Sequence, residues 1–299
     1  MEEWNMHYTG PVVRPPHEAN SVLLEVTVGC THNSCRFCTF YKDTPFRMAK
    51  MEQIEADLKE VKRFWPNAKR VYALGGDPFT MSTERLKKVG FLIKQYLPKA
   101  NIATYARITS IIPKSVEELK ELRAIGYNDL VIGIESGDDE VLKQMNKGYT
   151  SADILRECFK LEQSGINYYV IYLGGLAGHG NGERNARNTA KILNQLRPSH
   201  MYMTSVAVLP DSELYQDVAD GKFEEATEKE RIEETLLFIK ALTNPIILYG
   251  QSVANPVNFT AKLPEQKDEL IRSLEGTLEK FTSSDEKELR LYRESLRTV

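Results

Sequence analysis

Three of the four cysteines in this 299-residue sequence lie within one stretch of nine residues. They are Cys30, Cys35 and Cys38, and they directly follow an apolar run of strand length, whereas Cys158 stands alone. Cysteine thiolates bind zinc or iron-sulfur clusters, and three of them on one short loop can converge on one centre. The cysteine loop, residues 29–38, is therefore the first candidate site.

The number of ligands separates the metals that this loop could hold. A structural zinc ion takes four ligands, so a zinc site must recruit His32 or a distant residue. A 4Fe-4S cluster with three cysteine ligands leaves one iron open to a substrate or cofactor, which suits a catalytic centre. Phe37, directly before Cys38, would shield such a cluster. Three thiols without a metal would be an oxidation liability on this loop.

Two further segments place charged side chains close to glycines. Gly75, Gly76 and Asp77 follow the second apolar run, and Glu135 and Lys147 lie in a segment after the fourth. Glycine lets backbone approach a ligand closely, and a carboxylate or an ammonium can pair with the opposite charge of a ligand. Taken alone, Gly-Gly-Asp-Pro is typical of a turn, Glu135 of a sheet edge and Lys147 of a helix C-terminus.

The elements that must position these residues alternate in type. Apolar, β-branched runs occur at 22–28, 70–74, 102–108, 130–134, 168–173 and 201–209. Helical spacing occurs at 51–64, 83–97, 116–125, 152–163 and 183–196. Alternating strands and helices form parallel βα units with right-handed crossovers. We predict an α/β fold, a partial (β/α)6 barrel of parallel strands with a C-terminal helical extension, in preference to a flat doubly wound sheet.

The chain is expected to have three parts. Residues 1–20 form a polar arm in which Pro15 and Pro16 predict extended structure. Residues 21–215 contain the predicted strands and form the core. Helical patterns at 224–242 and 266–281, a short strand pattern at 245–249 and a charge-dense end predict that 216–299 is a mostly helical extension packed on the core.

Composition excludes several classes of protein. With 39 basic and 42 acidic side chains, the formal charge of -3 argues against a partner that is bound through bulk charge, such as a nucleic acid. No run approaches the roughly 18 apolar residues of a membrane span. Glu2 and Glu3 stand where a signal peptide would carry positive charge. We expect a cytoplasmic protein with no membrane and no nucleic acid as partners.

Together these motifs resemble the radical S-adenosylmethionine (SAM) superfamily. Its common cysteine spacing is CxxxCxxC with an aromatic residue before the last cysteine, whereas this chain has CxxxxCxxC. The Gly75–Asp77 segment is similar to the family's GGE motif, with aspartate in place of glutamate. The stretch from Ile132 to Gly148 resembles the IGIESG and VLKxMNKG motifs of the branch with oxygen-independent coproporphyrinogen oxidases, methylthiotransferases and cobalamin-type enzymes. Residues 172–178 resemble the glycine motif of the fifth strand.

The resemblance implies which residues hold the cofactors. Three cysteines would bind a 4Fe-4S cluster, and SAM would be contacted through its methionine, ribose and adenine parts. The implied residues are Cys30, Cys35, Cys38 and Phe37 at the cluster; Gly75, Gly76 and Asp77 at the SAM amino group; Glu135 at the ribose hydroxyls; Lys147 at the SAM carboxylate; Arg107 in the pocket wall; and Ala207 and Val208 at the adenine.

By the same resemblance, the reduced cluster cleaves SAM to a 5'-deoxyadenosyl radical, which abstracts hydrogen from an unidentified, small-molecule substrate. An external one-electron donor of the flavodoxin or ferredoxin type is then required, since no second set of cluster cysteines is present. The absence of cysteines after Cys158 argues against a second cluster domain. The short segment before the first strand leaves no room for a cobalamin domain, so we expect a stand-alone core domain.

Two other functions stay open. A binding protein on the same fold, like the heme-chaperone relatives of coproporphyrinogen oxidase, would keep a cluster without catalysing a reaction. A zinc-stabilised α/β protein would have no redox chemistry.

Outside the cysteine loop, Cys158 is predicted to pack in the core and His179 to lie on a solvent-exposed loop. Substrate contacts are expected from the arm, residues 41–47, His179 and the helical tail.

Overall fold

The computed structural model describes residues 5–298, so the first four residues of the predicted arm and the last residue of the predicted extension lie outside the described part. The strands are β1 (Val22–Glu25), β2 (Thr27–Val28), β3 (Arg47–Met48), β4 (Arg70–Leu74), β5 (Asn101–Ala106), β6 (Tyr127–Glu135), β7 (Asn167–Gly174), β8 (His200–Ser205), β9 (Ile246–Tyr249) and β10 (Thr260–Leu263). The α-helices are α1 (Met51–Phe64), α2 (Thr83–Tyr96), α3 (Ile108–Ile111), α4 (Val116–Ile125), α5 (Asp139–Gln144), α6 (Ser151–Ser164), α7 (Gly182–Leu193), α8 (Glu213–Ala219), α9 (Glu228–Ala241), α10 (Lys267–Lys280) and α11 (Ser283–Ser295).

Eight strands form one sheet in the order β1-β4-β5-β6-β7-β8-β9-β10, and β2 pairs separately with β3. The pairs β1/β4, β4/β5, β5/β6, β7/β8 and β8/β9 are parallel, whereas β9/β10 is antiparallel. Strand order follows chain order, as successive βα units require. The predicted fold class, an α/β partial barrel with a helical extension, is confirmed. The extension also adds two strands, β9 and β10, and the sequence patterns indicated only β9.

The chain divides into two compact units. The first contains the described part of Met1–Asn33 together with Phe40–Ile132 and Phe159–Tyr168. The second contains Ser34–Thr39, Gly133–Cys158 and the described part of Tyr169–Val299. The cysteine loop contributes to both, because Cys30 belongs to the first unit and Cys35 and Cys38 belong to the second. The division at residues 20 and 215 that was expected from the sequence remains a prediction.

Local capping signals place several helix ends. Ser115 accepts a hydrogen bond from the Glu118 N–H at 3.1 Å, and the Glu118 carboxylate accepts one from the Ser115 N–H at 2.8 Å, so α4 begins with a capping box. The helix ends at Gly126, whose φ of +124° suits glycine. These boundaries match the sequence prediction because the interactions that set them are local.

Three predicted strands end earlier than their apolar runs. In the first run, the Val26 N–H donates to Leu74 but its carbonyl accepts from Ala49, so the chain leaves β4 and continues as β2. The third strand stops at Ala106, because the N–H of the next residue, Arg107, donates to the Asp77 carboxylate at 3.3 Å. The sixth stops at Ser205, because the carbonyl of the next residue, Val206, accepts hydrogen bonds from side chains. In each run, hydrogen bonds to distant residues end the ladder where the apolar pattern alone would continue it.

No helix in the described residues is long and apolar enough to cross a membrane.

The arm, predicted to be extended, contains one 3-10 turn over Pro16–Asn20. The prediction was wrong there because Pro16 occupies the first position of the turn, where the missing N–H and fixed φ of proline are tolerated.

This turn is anchored to the first unit by a buried carboxylate. Glu18 has no exposed surface, and the Arg70 guanidinium donates to its two oxygens at 2.5 and 2.9 Å. Ser21 and His17 also bond the Glu18 carboxylate. Burial by itself would raise the pKa of Glu18, but the hydrogen bonds from His17, Arg70 and Ser21 outweigh burial and lower the pKa to about 2. The ionised form of Glu18 is therefore the stabilising one.

Substitution of Glu18 should change stability in a pH-dependent way. A carboxyl whose pKa is lowered by folding contributes stability that is fully present above its ordinary pKa of 4.5 and is lost as pH falls toward 2. We expect Glu18→Gln to lower the free energy of unfolding by about 2 kcal/mol at pH 7 and by less than half of that at pH 3. Urea unfolding at both pH values measures the difference, with Glu279→Gln, an exposed carboxylate of α10, as the control. Equal losses at the two pH values would contradict this account.

Candidate functional site

The cysteine loop starts in the first unit against the glycines that follow β4. The Gly76 N–H donates to the Gly29 carbonyl at 2.9 Å. A Cβ on Gly76 would lie 2.8 Å from the Cβ of Cys30 and 2.8 Å from the Gly29 oxygen. Gly75, with φ of +143° and Thr27 beside it, has no room for a side chain either. The two glycines therefore let the loop after β4 contact the cysteine loop through backbone.

Asp77, the residue after Gly76, is buried and also contacts the cysteine loop. Only 1% of its surface is exposed. One carboxylate oxygen accepts from the Thr31 hydroxyl at 3.1 Å and the other from the Arg107 N–H at 3.3 Å. Burial raises the pKa of Asp77, against the opposing effects of a hydrogen bond from Ser110 and the charge of Arg107. The structure thus brings Asp77 and Arg107 together, and it gives the Asp77 carboxylate partners within the protein.

The segment Ser34–Thr39, which contains the second half of the cysteine loop, is held within the second unit. The Arg36 N–H donates to the Met145 carbonyl at 3.2 Å, and the Leu214 N–H donates to the Arg36 carbonyl at 2.8 Å. The Arg36 guanidinium also makes a two-bond ion pair with Asp217 of α8, at 2.6 and 2.5 Å. Arg36 and Asp217 were not predicted from the sequence, since a lone arginine between two cysteines gives no signal of a partner 181 residues away.

The three loop cysteines are all partly exposed, and none forms a disulfide. The Cys38 N–H donates to the Cys35 carbonyl at 3.1 Å, which turns the second half of the loop. Among residues 5–298, no group of three or more histidine, cysteine or acidic side chains is arranged to hold a metal ion. Cluster ligation by these cysteines therefore stays a prediction from their type and spacing. Cys158 is fully buried, as core packing requires.

Phe37, predicted to shield the cluster, is a partly buried ring of the second unit. Its ring lies against a buried apolar cluster of the second unit, whose members are Val141, Met145, Leu173, Leu176, Ala177, Val206, Leu214 and Phe223. The Lys147 ammonium lies 5.6 Å from the centroid of the Phe37 ring, within cation–π distance. The structure thus brings Phe37 and Lys147 together.

Glu135 and Lys147 form a largely buried ion pair. Their side chains are 12% and 5% exposed, and the closest nitrogen-to-oxygen distance is 3.4 Å. The Lys147 ammonium also donates to the Gly133 carbonyl at 3.1 Å, and the Tyr149 hydroxyl donates to the same carbonyl at 2.8 Å. Burial raises the pKa of Glu135, and Lys147 opposes this shift. Glu135 has a positive φ of +63°, an uncommon conformation for a residue with a side chain.

Ala207 and Val208 lie just beyond the end of β8. Ala207 is buried and Val208 is half-buried, with Val208 packed against the same apolar cluster as Phe37. Both residues, which the resemblance assigns to the adenine, lie in irregular backbone that follows directly on the sheet.

The loop that carries His179 is hydrogen-bonded to α9. The His179 Nδ1 is 2.9 Å from a Glu230 carboxylate oxygen of α9, and the Gly180 N–H donates to the other oxygen at 3.0 Å. The hydrogen bond with Glu230 and its negative charge raise the pKa of His179. The histidine is exposed, as predicted, but its loop is tied to the start of α9.

Strands β7, β8 and β9 carry an aromatic face that was not predicted from the sequence. Tyr169 stacks on His200 with ring centroids 4.0 Å apart, and Tyr202 stacks on Tyr249 at 5.5 Å. His200 meets both of the latter rings edge-on. The available signal was the alternation of His200 and Tyr202 along one strand, which places both side chains on one face.

Parallel βα units with a three-cysteine loop after the first strands are the arrangement of a cluster-binding α/β protein. The family model of the radical SAM superfamily matches residues 24–193, more than half of the chain. The chain therefore belongs to the radical SAM superfamily, and its cofactors are a 4Fe-4S cluster and SAM.

Individual relatives are distant. The chain is 24% identical over 203 residues to the heme chaperone HemW of Bacillus subtilis (strain 168). The matched region covers 64% of this chain and 52% of HemW. The chain thus spans about half the length of this curated relative.

Two solved structures share the fold. The radical SAM coproporphyrinogen III oxidase HemN of Escherichia coli has a TM-score of 0.56 at 17% identity, over 74% of this chain and 52% of HemN. The radical SAM methyltransferase TsrM of Kitasatospora setae has a TM-score of 0.55 at 16% identity, over 67% of this chain and 37% of TsrM.

The close approach at Gly76 can be tested by adding one methyl group. We expect Gly76→Ala to push the loop after β4 away from Cys30, because the new Cβ would overlap backbone and Cys30 at 2.8 Å. Iron and sulfide content after anaerobic reconstitution should fall to less than half of the wild-type value, an effect of about 1 to 3 kcal/mol for overpacking. Gly276→Ala, with open space around the new Cβ, is the control. Wild-type cluster content in Gly76→Ala would show that the contact does not position Cys30.

Proposed function

We propose that this protein is a radical SAM enzyme that cleaves SAM reductively and abstracts hydrogen from a small-molecule substrate. The observation that carries the proposal is the family match over residues 24–193, which includes the cysteine loop, the Gly75–Asp77 segment and the Glu135–Lys147 pair. The bound cluster and SAM supply the one-electron chemistry.

The cysteine loop fits the cluster in its donor chemistry. Cys30, Cys35 and Cys38 offer three partly exposed thiols outside any disulfide, and a three-thiolate site leaves one iron for SAM. The missing side chain at Gly76 keeps the space beside Cys30 free of a Cβ. In the proposal these three cysteines are the ligands, and Phe37 covers one side of the loop against the apolar cluster.

The remaining predicted residues are assigned to SAM. Lys147 provides a buried ammonium for the SAM carboxylate, and Glu135 provides acceptors for the ribose hydroxyls. The backbone at Gly75 and Gly76, with Asp77 and Arg107 behind it, receives the amino group and lines the pocket. The backbone of Ala207 and Val208 receives the adenine. Support comes from the burial of the ion pair, since a buried charge is worth more to a ligand than an exposed one.

The electron comes from outside the chain in this proposal. A donor of the flavodoxin or ferredoxin type fits, because the sequence has one set of cluster cysteines and Cys158 is buried in the core. For the substrate, the partly exposed rings of His200, Tyr202 and Tyr249 are the kind of surface on which a planar molecule stacks.

Anaerobic reconstitution tests the proposed function directly. Iron and sulfide should give 4Fe-4S absorption and an electron paramagnetic resonance (EPR) signal after reduction, and dithionite with SAM should release 5'-deoxyadenosine. Cys35→Ala should lose the cluster, because two thiolates are too few to hold it. Cys158→Ala should retain it, since Cys158 is a core residue. Stoichiometric zinc without iron-sulfur absorption in the wild-type protein would overturn the proposal.

The assignment of Lys147 has its own test. Lys147→Gln removes the positive charge beside Glu135 and the SAM carboxylate, so we expect the half-saturating SAM concentration to rise at least about tenfold, the equivalent of 1.4 kcal/mol. SAM titration followed by the EPR change of the reduced cluster measures it. Lys143→Gln, an exposed lysine of the neighbouring α5, is the matched control. Unchanged affinity in Lys147→Gln with a full cluster would remove Lys147 from the SAM site.

A second candidate function is heme binding without catalysis. The 24% identity over 203 residues with the heme chaperone HemW favours it. A cluster that forms while SAM stays uncleaved with every substrate offered, together with stoichiometric heme binding in an absorption titration, would support this candidate over the enzyme. Release of 5'-deoxyadenosine without heme binding would exclude it.

A further inference from the structure

Two buried arginines from the C-terminal helices meet at one backbone carbonyl. Arg231 of α9 has no exposed surface, and Arg293 of α11 is 6% exposed. The Nη1 atom of each donates to the Val206 oxygen, in both cases at 3.1 Å. Val206 directly follows β8 and directly precedes the Ala207–Val208 segment.

Burying two guanidiniums together is costly, and acidic side chains offset only part of the cost. Glu228 accepts two hydrogen bonds of 2.6 Å from Arg293, and Glu225 accepts one of 3.3 Å from Arg231. The Arg231 Nε has no hydrogen-bond partner in the part of the chain that the structure describes. Burial, and next the charge of Arg293, lower the pKa of Arg231 to about 10. Apolar residues often replace buried ion pairs without loss of stability, so these arginines need a reason other than stability.

The glycine motif after β7 makes room for Arg231. A Cβ on Gly175 would lie 2.0 Å from the Arg231 Nη1, and Gly175 has φ of +75°. The same Nη1 lies 3.4 Å from the Gly174 oxygen, which also accepts the Val206 N–H at 2.9 Å. Arg231 thus joins the ends of β7 and β8, and Arg293 adds a second donor at the end of β8.

Peptide geometry explains what two arginines at the Val206 carbonyl can do for the next residue. The Val206 carbonyl and the Ala207 N–H belong to one planar peptide group, so fixing the direction of the carbonyl fixes the direction of the N–H. Two charged donors on the carbonyl also polarise the group and make its N–H a stronger donor. Within residues 5–298, no acceptor for the Ala207 N–H is found.

We propose that Arg231 and Arg293 are positioning residues, which aim and polarise the Val206–Ala207 peptide so that the Ala207 N–H donates to the adenine of SAM. This inference rests on the proposed function, in which Ala207 and Val208 receive the adenine. It gives the C-terminal extension a part in SAM binding. The ligand feature recognised is an acceptor nitrogen on the edge of a purine ring.

The test compares two arginines on one helix. Arg293→Gln removes the charge and one donor at Val206. Arg290→Gln, one turn earlier on α11, removes an arginine that pairs with Glu225 and donates to the Ala226 carbonyl instead. SAM is titrated into each reduced, cluster-loaded protein, and the EPR change is recorded. We expect the half-saturating SAM concentration to rise about tenfold in Arg293→Gln and to stay within about twofold of wild type in Arg290→Gln.

The spectrum separates positioning from loss of structure. At saturating SAM, Arg293→Gln should show the wild-type EPR spectrum and cluster content, because contacts at the cluster are unchanged. Arg293→Lys, which keeps a charge for Glu228 and one donor, should recover part of the affinity. It also serves as the deciding variant if Arg293→Gln does not fold. The affinity of Arg293→Lys for SAM should then be lower than that of the wild-type protein but still measurable. Wild-type affinity in Arg293→Lys would overturn the inference.

Three further results would count against the inference. Wild-type affinity in a folded, cluster-loaded Arg293→Gln protein overturns it and leaves the proposed function intact. An equal loss in Arg290→Gln assigns the effect to general weakening of the extension and also overturns it. Failure of the wild-type, cluster-loaded protein to bind SAM overturns the proposed function, and the inference with it.

Discussion

The approach of backbone to backbone at Gly29 and Gly76 is the constraint on which the first unit's candidate site depends. A hydrogen bond of 2.9 Å joins the two loops, and a side chain at Gly76 would overlap Cys30. Because this contact uses backbone only, it holds the first cysteine close to the loop after β4. Asp77, the next residue along that loop, then reaches Thr31 and the N–H of Arg107. One backbone contact thus relates a cysteine, a carboxylate and an arginine.

The second unit positions its candidate residues through buried charge. Glu135 pairs with Lys147 and Arg293 with Glu228, and all four side chains are largely buried. Removing such pairs from water costs several kcal/mol per ion in general, and the pairing returns only part of it. What buried pairs do provide is fixed geometry, because an ion pair with two or more hydrogen bonds has few alternative arrangements. The charged residues of this unit are therefore better explained by the positions they hold than by the stability they add.

The agreement between sequence and structure follows the range of the interactions involved. Strand β4 and helix α4 have the predicted boundaries, because strand alternation and a capping box act within a few residues. Strand β10 was missed, since four residues that alternate with weak apolar character carry little signal until β9 pairs with them. The early ends of β1, β5 and β8 were missed for a similar reason, as hydrogen bonds with distant residues ended each run.

Spacing, periodicity and short motifs were enough to predict the family, the order of the βα units and the candidate cofactor residues. What holds those residues in place follows from the fold and from no local pattern. Arg36 and Asp217 are 181 residues apart, and Arg293 and Val206 are 87 apart. A side chain's partner at such separations is set by how helices pack on strand ends, and no local pattern records that packing. The arginines at Val206 are the clearest example, since on the sequence Arg231 and Arg293 are indistinguishable from the other arginines of charged helices.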